Sequence, residues 1–181
     1  MRLEAGRTRR ILQVEFADGG RRVIGCGVQN APRSESGSQE ALLAWDAETG
    51  ALLQTVTNDF AINRLAVSED GLRLAAACSD NMLRTYDART LALQQEFRTH
   101  DAPLSVVAWH PSGKVVLTAA EDLAIRFWNL ERRQFIGEII GPPSAAHGLV
   151  GSPAGTRLIG VFGDKSVRVW EIGSLLEQAG L

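Results

Sequence analysis

The sequence is short of the residues that build covalent or metal frameworks. Its 181 residues include two cysteines, Cys26 and Cys78, and three histidines, His100, His110 and His147. The cysteines show no Cys-x-x-Cys spacing and the histidines no zinc spacing, so no metal site is expected and nothing points to a cofactor. Charge of one sign is also lacking: 19 Lys and Arg against 21 Asp and Glu leave a net charge of −2. That balance excludes a strongly basic nucleic-acid binder and an acidic tail protein. No apolar run reaches the ~18 residues of a membrane span. Met1 to Arg10 carry Arg2, Arg7, Arg9 and Arg10 with no apolar core, so a secretory signal is not expected and a cytoplasmic location is. With 45% hydrophobic and 22% charged residues the chain has the composition of a folded protein. Its length suits one domain of ~100–200 residues, and its 18 glycines and six prolines imply many turns.

What is present is a period. An aromatic followed by a polar or acidic residue recurs at Trp45-Asp46, Tyr86-Asp87, Trp128-Asn129 and Trp170-Glu171, at spacings of 41, 42 and 42. Six residues before the aromatic stand Asp80, Asp122 and Asp164, and two before it stand Arg84, Arg126 and Arg168. Fifteen before it comes a turn glycine, Gly71, Gly113 or Gly155, and Ala17-Asp18-Gly19 opens the first unit. In the third unit Leu104–Trp109, Lys114–Ala119, Ala124–Trp128 and Gln134–Ile140 are short runs rich in β-branched and aromatic residues, punctuated by turn signals. Four antiparallel strands per ~42 residues make one blade of a propeller. The expected fold is all-β: four four-stranded antiparallel units at approximately 10–57, 58–99, 100–141 and 142–181. They form a single domain over 1–181, with 1–9 available as a closing strand.

The pattern resembles the WD-repeat family over roughly residues 10–172. The resemblance implies a buried network in which the turn acid orients a His at the blade's start. That His bonds a Ser or Thr of the second strand, which bonds the Trp ring nitrogen. The third unit alone holds the whole set, His100, Thr118, Asp122 and Trp128. The second has Asn58, Ala76, Asp80 and Tyr86; the fourth has Pro142, Gly160, Asp164 and Trp170; the first keeps Trp45, with Gln39 at the acid's position. The third blade is therefore expected to be the stiffest. His100, Asp122 and Thr118 also contain the ingredients of an acid–base–nucleophile triad. Their register assigns them to structure, and no oxyanion or transferase motif accompanies them, so no catalytic residue and no enzyme are expected. His147, in Gly-Pro-Pro-Ser-Ala-Ala-His-Gly, reads as a solvated loop residue, and His110 as a surface turn residue before Pro111.

The units also differ. Gly19 to Trp45 spans 26 residues against 15 elsewhere, so Gln29 to Gln39 reads as a mobile loop. Aligning the turn glycines places Cys26 and Cys78 at one position of neighbouring blades, ~10 Å apart and too far to bridge, hence free thiols. Arg2-Leu3-Glu4-Ala5 is at most a fragment of an outer strand. After Trp170, residues 173–181 leave open closure of the last blade by the N-terminal segment, a short helix over Ser174–Gln178, or an irregular end. Propellers have ~4–8 blades, and the resemblance implies seven or eight. Four blades are expected to form an open arc or an incomplete propeller, with inter-blade faces covered by another copy or another chain.

The resemblance implies a non-catalytic scaffold that binds a protein or peptide around the central opening, on the face bearing the blade starts. The matching positions are Ala61, Asn63 and Ser79; Pro103, Ser105 and Glu121; Ala145, His147 and Gly163. Asn63, Ser79, Pro103, Ser105, Glu121 and His147 are the expected binding residues, with no aromatic hot spot among them. An alternative is a sensor or regulatory portion of a larger multidomain protein of bacterial type. Nucleic-acid binding through Arg2, Arg7, Arg9, Arg10, Arg21 and Arg22 is disfavoured, because no stacking aromatics interleave with them.

Overall fold

Short apolar runs separated by glycine turns fold as consecutive hairpins. In the computed structural model, which describes residues 8–30, 38–142, 144–178 and 180, they assort into four antiparallel sheets that do not close into a barrel. Blade 1 comprises β1 (Thr8–Ala17), β2 (Arg22–Asn30), β3 (Ser38–Asp46) and β4 (Leu52–Asn58). Blade 2 comprises β5 (Ile62–Val67), β6 (Arg73–Cys78), β7 (Met82–Asp87) and β8 (Leu93–Arg98). Blade 3 comprises β9 (Leu104–Trp109), β10 (Val115–Ala120), β11 (Ala124–Asn129) and β12 (Gln134–Ile140). Blade 4 has three strands, β13 (Ala146–Gly151), β14 (Arg157–Phe162) and β15 (Val167–Glu171).

The expected fourth strand of blade 4 is absent among the described residues, and helix α1 (Gly173–Gln178) follows β15 instead. Leu175 and Leu176 explain the difference. Adjacent in sequence, they both pack into the core shared by blades 3 and 4, whereas a strand would send them to opposite faces. Gly137 of β12 leaves room for this, because a Cβ there would lie 3.1 Å from Leu175 Cδ1.

The turns are closed by the residues that set the period. At Gly113 the backbone has φ +67°, and the Gly113 amide donates to the His110 carbonyl at 2.9 Å. The acid after the aromatic closes the turn to the outer strand: Asp46 Oδ1 accepts the amides of Glu48 and Thr49 and the Thr49 hydroxyl. Asp87 does the same with Arg89 and Thr90. These bonds, the Thr amide's first, hold both carboxyls below the usual range.

The strand pairing corrects the register of blade 1. Trp45, Tyr86, Trp128 and Trp170 stand opposite Val23, Leu74, Val116 and Leu158, which stand opposite Phe16, Val67, Trp109 and Gly151. Counting from these pairs, the counterpart of Gly71 is Gly20, at φ +84°, and not Gly19. The additional glycine in Asp18-Gly19-Gly20 hides this offset in the sequence. Cys26 and Cys78 are consequently one position apart, opposite Gln13 and Ile62. They still share one core, free and fully buried, and burial pushes each thiol up to about 11. The expected loop over Gln29–Gln39 is shorter than its composition suggests: Gln29, Asn30, Ser38 and Gln39 belong to β2 and β3, paired across it. Residues 31–37 and Arg2-Leu3-Glu4-Ala5 lie outside the described residues.

Three of the cores lie between two blades, and a fourth, around Trp45, lies within blade 1. Leu74, Ala76 and Cys78 of β6 face blade 1, and Ala75 and Ala77 face blade 3. This is why β6 and β10 read as nearly uninterrupted apolar runs: both of their faces are covered. In β14 burial alternates strictly, exposed and buried, because only the side toward blade 3 is covered. The inner strands also stitch neighbouring blades. Gln13 Nε2 donates to the Leu65 carbonyl and its Oε1 accepts the Leu65 amide, while Asn63 Nδ2 donates to the Leu104 carbonyl at 2.7 Å. Inner strand meets inner strand from β1 to β5, β5 to β9 and β9 to β13.

Candidate interaction face

The polar residues fall into two sets: a network inside blade 3, and a rim formed where each blade begins. In the network, the Trp128 indole donates to Thr118 Oγ1 at 3.1 Å, and Thr118 Oγ1 lies 2.9 Å from His100 Nε2. His100 Nδ1 lies 2.9 Å from Asp122 Oδ2, which also accepts from Arg126 at 3.1 Å. Burial is the larger influence on His100 and lowers its pKa, with the Asp122 carboxylate pulling the other way. A neutral ring carrying its proton on Nδ1 satisfies every group: it donates to Asp122 and accepts the Thr118 hydroxyl, whose oxygen takes the indole proton. For Asp122, burial alone would raise the pKa. The bonds from His100, the Ala124 amide and Arg126 outweigh it and hold the carboxyl below its usual range. Thr118 is fully buried beneath the ring, so it offers no accessible nucleophile.

The depressed His100 pKa has a sign in stability. Unfolding returns the ring to its ordinary ~6.5, so the unfolded chain binds the proton first as pH falls. The folded state is therefore favoured fully above that value and loses stability below it. The urea midpoint is expected to fall between about pH 7 and about pH 5.5, and to fall less in His100→Gln. Equal falls in both proteins would show that His100 is not the source.

Two ion-pair relays flank the network positions. Arg84 binds Asp80 at 2.7 Å and Glu96 at 3.1 Å, and its guanidinium lies 3.6 Å from the Phe60 ring centroid. Arg126 binds Asp122 and, at 2.9 Å, Glu138. The roles of Glu96 and Glu138 were missed in sequence, although their separation equals the repeat period. Blade 2 has Asn58 where blade 3 has His100, and Asn58 Nδ2 has no hydrogen-bond partner among the described residues.

At the rim, the positions singled out in sequence meet in pairs. The Ser79 amide donates to the Ala61 carbonyl at 2.9 Å, Glu121 to Pro103 at 3.2 Å and Gly163 to Ala145 at 3.2 Å. Ser79 Oγ also accepts the Ala61 amide, and Ser105 Oγ donates to the Ala119 carbonyl. Asn63 is committed to the Leu104 carbonyl, so it joins blades and is not open to a partner. The side chains of Glu121 and His147 are exposed, and neither has a hydrogen bond or ion pair among the described residues. His147 lies in β13, not in a loop. His110 is no surface residue: it is buried, with Nε2 2.9 Å from the Gly155 carbonyl of the next blade. Of the arginines considered for nucleic acid, Arg21 and Arg22 lie at the opposite end, engaged with Asp18. Bonds from Arg21 first and then Arg89 lower the Asp18 carboxyl to about 2.

Residues 50–87 and 91–129 match the family described as WD domain, G-beta repeat. These two segments are WD repeats. The chain is 28% identical over 141 residues to the target of rapamycin complex subunit wat1 of Schizosaccharomyces pombe, covering 76% of this chain and 44% of that protein. It is 27% identical over 174 residues to the ribosome biogenesis protein YTM1 of Laccaria bicolor, covering 92% of this chain and 36% of that protein. The crystal structure of the RRP9 WD40 repeats superposes with a TM-score of 0.78 at 16% identity, over 95% of this chain and 51% of the other. The chain thus spans less than half the length of these two curated relatives. The likeness to the solved structure establishes its fold.

Proposed function

We propose that this WD-repeat chain is a non-catalytic scaffold that binds a protein or peptide at the rim where its blades begin. The observation that carries the proposal is the contrast along that rim. The buried polar groups of blade 3 are mutually satisfied, while Glu121 and His147 are exposed and uncommitted on adjacent blades. Arg64, exposed on β5, adds a cation on the neighbouring blade. Such a set suits a polar peptide read by charge and hydrogen bonding, not an aromatic anchor. A cytoplasmic location belongs to the same proposal; among the described residues no helix is long and apolar enough to cross a membrane. A second reading, a sensor or regulatory portion of a larger protein, is favoured by the greater length of the relatives.

The test is capture of partners from the native host by the tagged chain, quantified for each variant. Glu121→Ala with His147→Ala is expected to reduce recovery about tenfold, the loss of one or two good polar contacts. Glu48→Ala, on the opposite end, is expected to leave it unchanged. Equal recovery by all three proteins would overturn the assignment.

A further inference from the structure

Each end of the arc leaves open apolar positions of a kind that the three junctions within the molecule cover. On the last blade, positions that are buried in blade 3 are exposed. Leu117, Ala119, Ile125 and Phe127 of blade 3 are 1%, 1%, 0% and 0% exposed, because blade 4 covers them. Their counterparts by strand pairing in blade 4 are Ile159, Val161, Val167 and Val169, which are 36%, 42%, 65% and 58% exposed. The residues are apolar and correctly placed, and nothing in the described chain lies on them.

On blade 1 the corresponding face is closed over Val23 of β2 and Leu43 and Trp45 of β3, and the open positions are on β1. Val14 corresponds to Leu65 and Val107, which are 2% and 5% exposed and pack in the cores between successive blades. Val14 itself is 49% exposed, and Phe16, next on the same face, is 69% exposed. The polar complement is also present. Arg73 of blade 2 donates to the Gly113 carbonyl of blade 3 and lies 4.8 Å from the centroid of Trp109. The counterpart of Arg73 in blade 4 is Arg157, which is exposed and bound to Glu171. The counterparts of Trp109 and Gly113 in blade 1 are Phe16 and Gly20.

We infer that blade 4 of one chain docks on blade 1 of a second copy, and reciprocally, giving a head-to-tail dimer of eight blades. The inference deepens the scaffold reading by naming what covers the open faces, and it does not use the side chains of Glu121 and His147. A second copy is the occupant that these observations favour, because it supplies Phe16 and Gly20 to Arg157 and meets both open ends at once. Eight blades lie within the ~4–8 that propellers use.

Sedimentation equilibrium of the full chain tests it, and the expected mass is twice that of the monomer at micromolar concentration. Val150→Asp with Val169→Asp, on the exposed face of blade 4, is expected to give monomer, and so is Phe16→Asp. All three side chains are exposed, so the variants should fold, and circular dichroism checks that they do. Mixing the two variants is expected to restore a dimer, because one junction between them remains intact. Arg157→Ala is expected to raise the dissociation constant about tenfold. A monomeric wild-type chain would overturn the inference and assign the faces to a different chain. A Phe16→Asp variant that stays dimeric would overturn it in favour of like-with-like pairing of blade 4. Neither result would bear on partner capture through Glu121 and His147, so the two proposals fail separately.

Discussion

Phe127→Ala is expected to cost the folded chain about 3–5 kcal/mol. Phe127 is fully buried in the core shared by blades 3 and 4, among Val106, Leu117, Ala146, Leu158 and Phe162. Those neighbours are held by two sheets whose hydrogen-bonded ladders fix their spacing, so they cannot collapse into the space the ring vacates. A domain of this size has about 5–15 kcal/mol of net stability, so the substitution removes a large share of it. Urea unfolding checks this: the midpoint should fall steeply while the denaturant slope stays unchanged. Phe135→Ala is the comparison. That ring is 43% exposed at the outer edge of the same blade, against Trp128, and its loss should cost much less. Similar costs for the two would show that the contact between blades is not where the stability lies.

Gly27→Ala is expected to cost about 3 kcal/mol, the upper end for overpacking, through a different mechanism. A Cβ on Gly27 would overlap the Arg10 carbonyl oxygen and lie 3.1 Å from the Ile11 Cα. Both are backbone atoms of the adjacent strand, so no side-chain rotation relieves the clash and β1 must shift. The shift should appear as faster amide exchange in β1 together with the lower urea midpoint. Gly148→Ala makes a fair control, because its Cβ would meet only Val161 Cγ2, at 3.2 Å, and that side chain can turn away. If Gly27→Ala costs no more than Gly148→Ala, β1 is held loosely against β2.

Much of the fold was legible because its signals are local and repeated. The turn glycines, the acid, the arginine and the aromatic recur in register, and each unit can be compared with three others. The blade 3 strands read from sequence agree with the structure to within a residue at each end. The errors fall where the repeat is broken. One additional glycine beside Asp18 shifted the register of blade 1 by a residue, and with it the alignment of Cys26 with Cys78. His110 was misread because its partner, the Gly155 carbonyl, is a backbone atom 45 positions away on another blade. Asn63 was assigned to binding although its side chain is spent on the Leu104 carbonyl. Contacts that cross from blade to blade leave no mark in the spacing within a blade. The pairing of Glu96 with Arg84 and of Glu138 with Arg126 did leave one, a second period that went unread.

The sequence by itself determined the repeat, the strand count per unit and the small set of polar residues that can satisfy one another inside blade 3. These depend on turn chemistry and on alternation along single strands, which act over a few residues. Tertiary structure alone decided what lies between the blades and what lies on neither side. Whether a valine in a second or third strand is core or surface depends on whether another blade covers it, and Ile125 and Val167 show the two outcomes at one position of the repeat. The identity of the residue is set by its strand, but its burial is set by the neighbour. That is why an open arc could be expected from the repeat count, but which residues its ends expose became visible only in three dimensions.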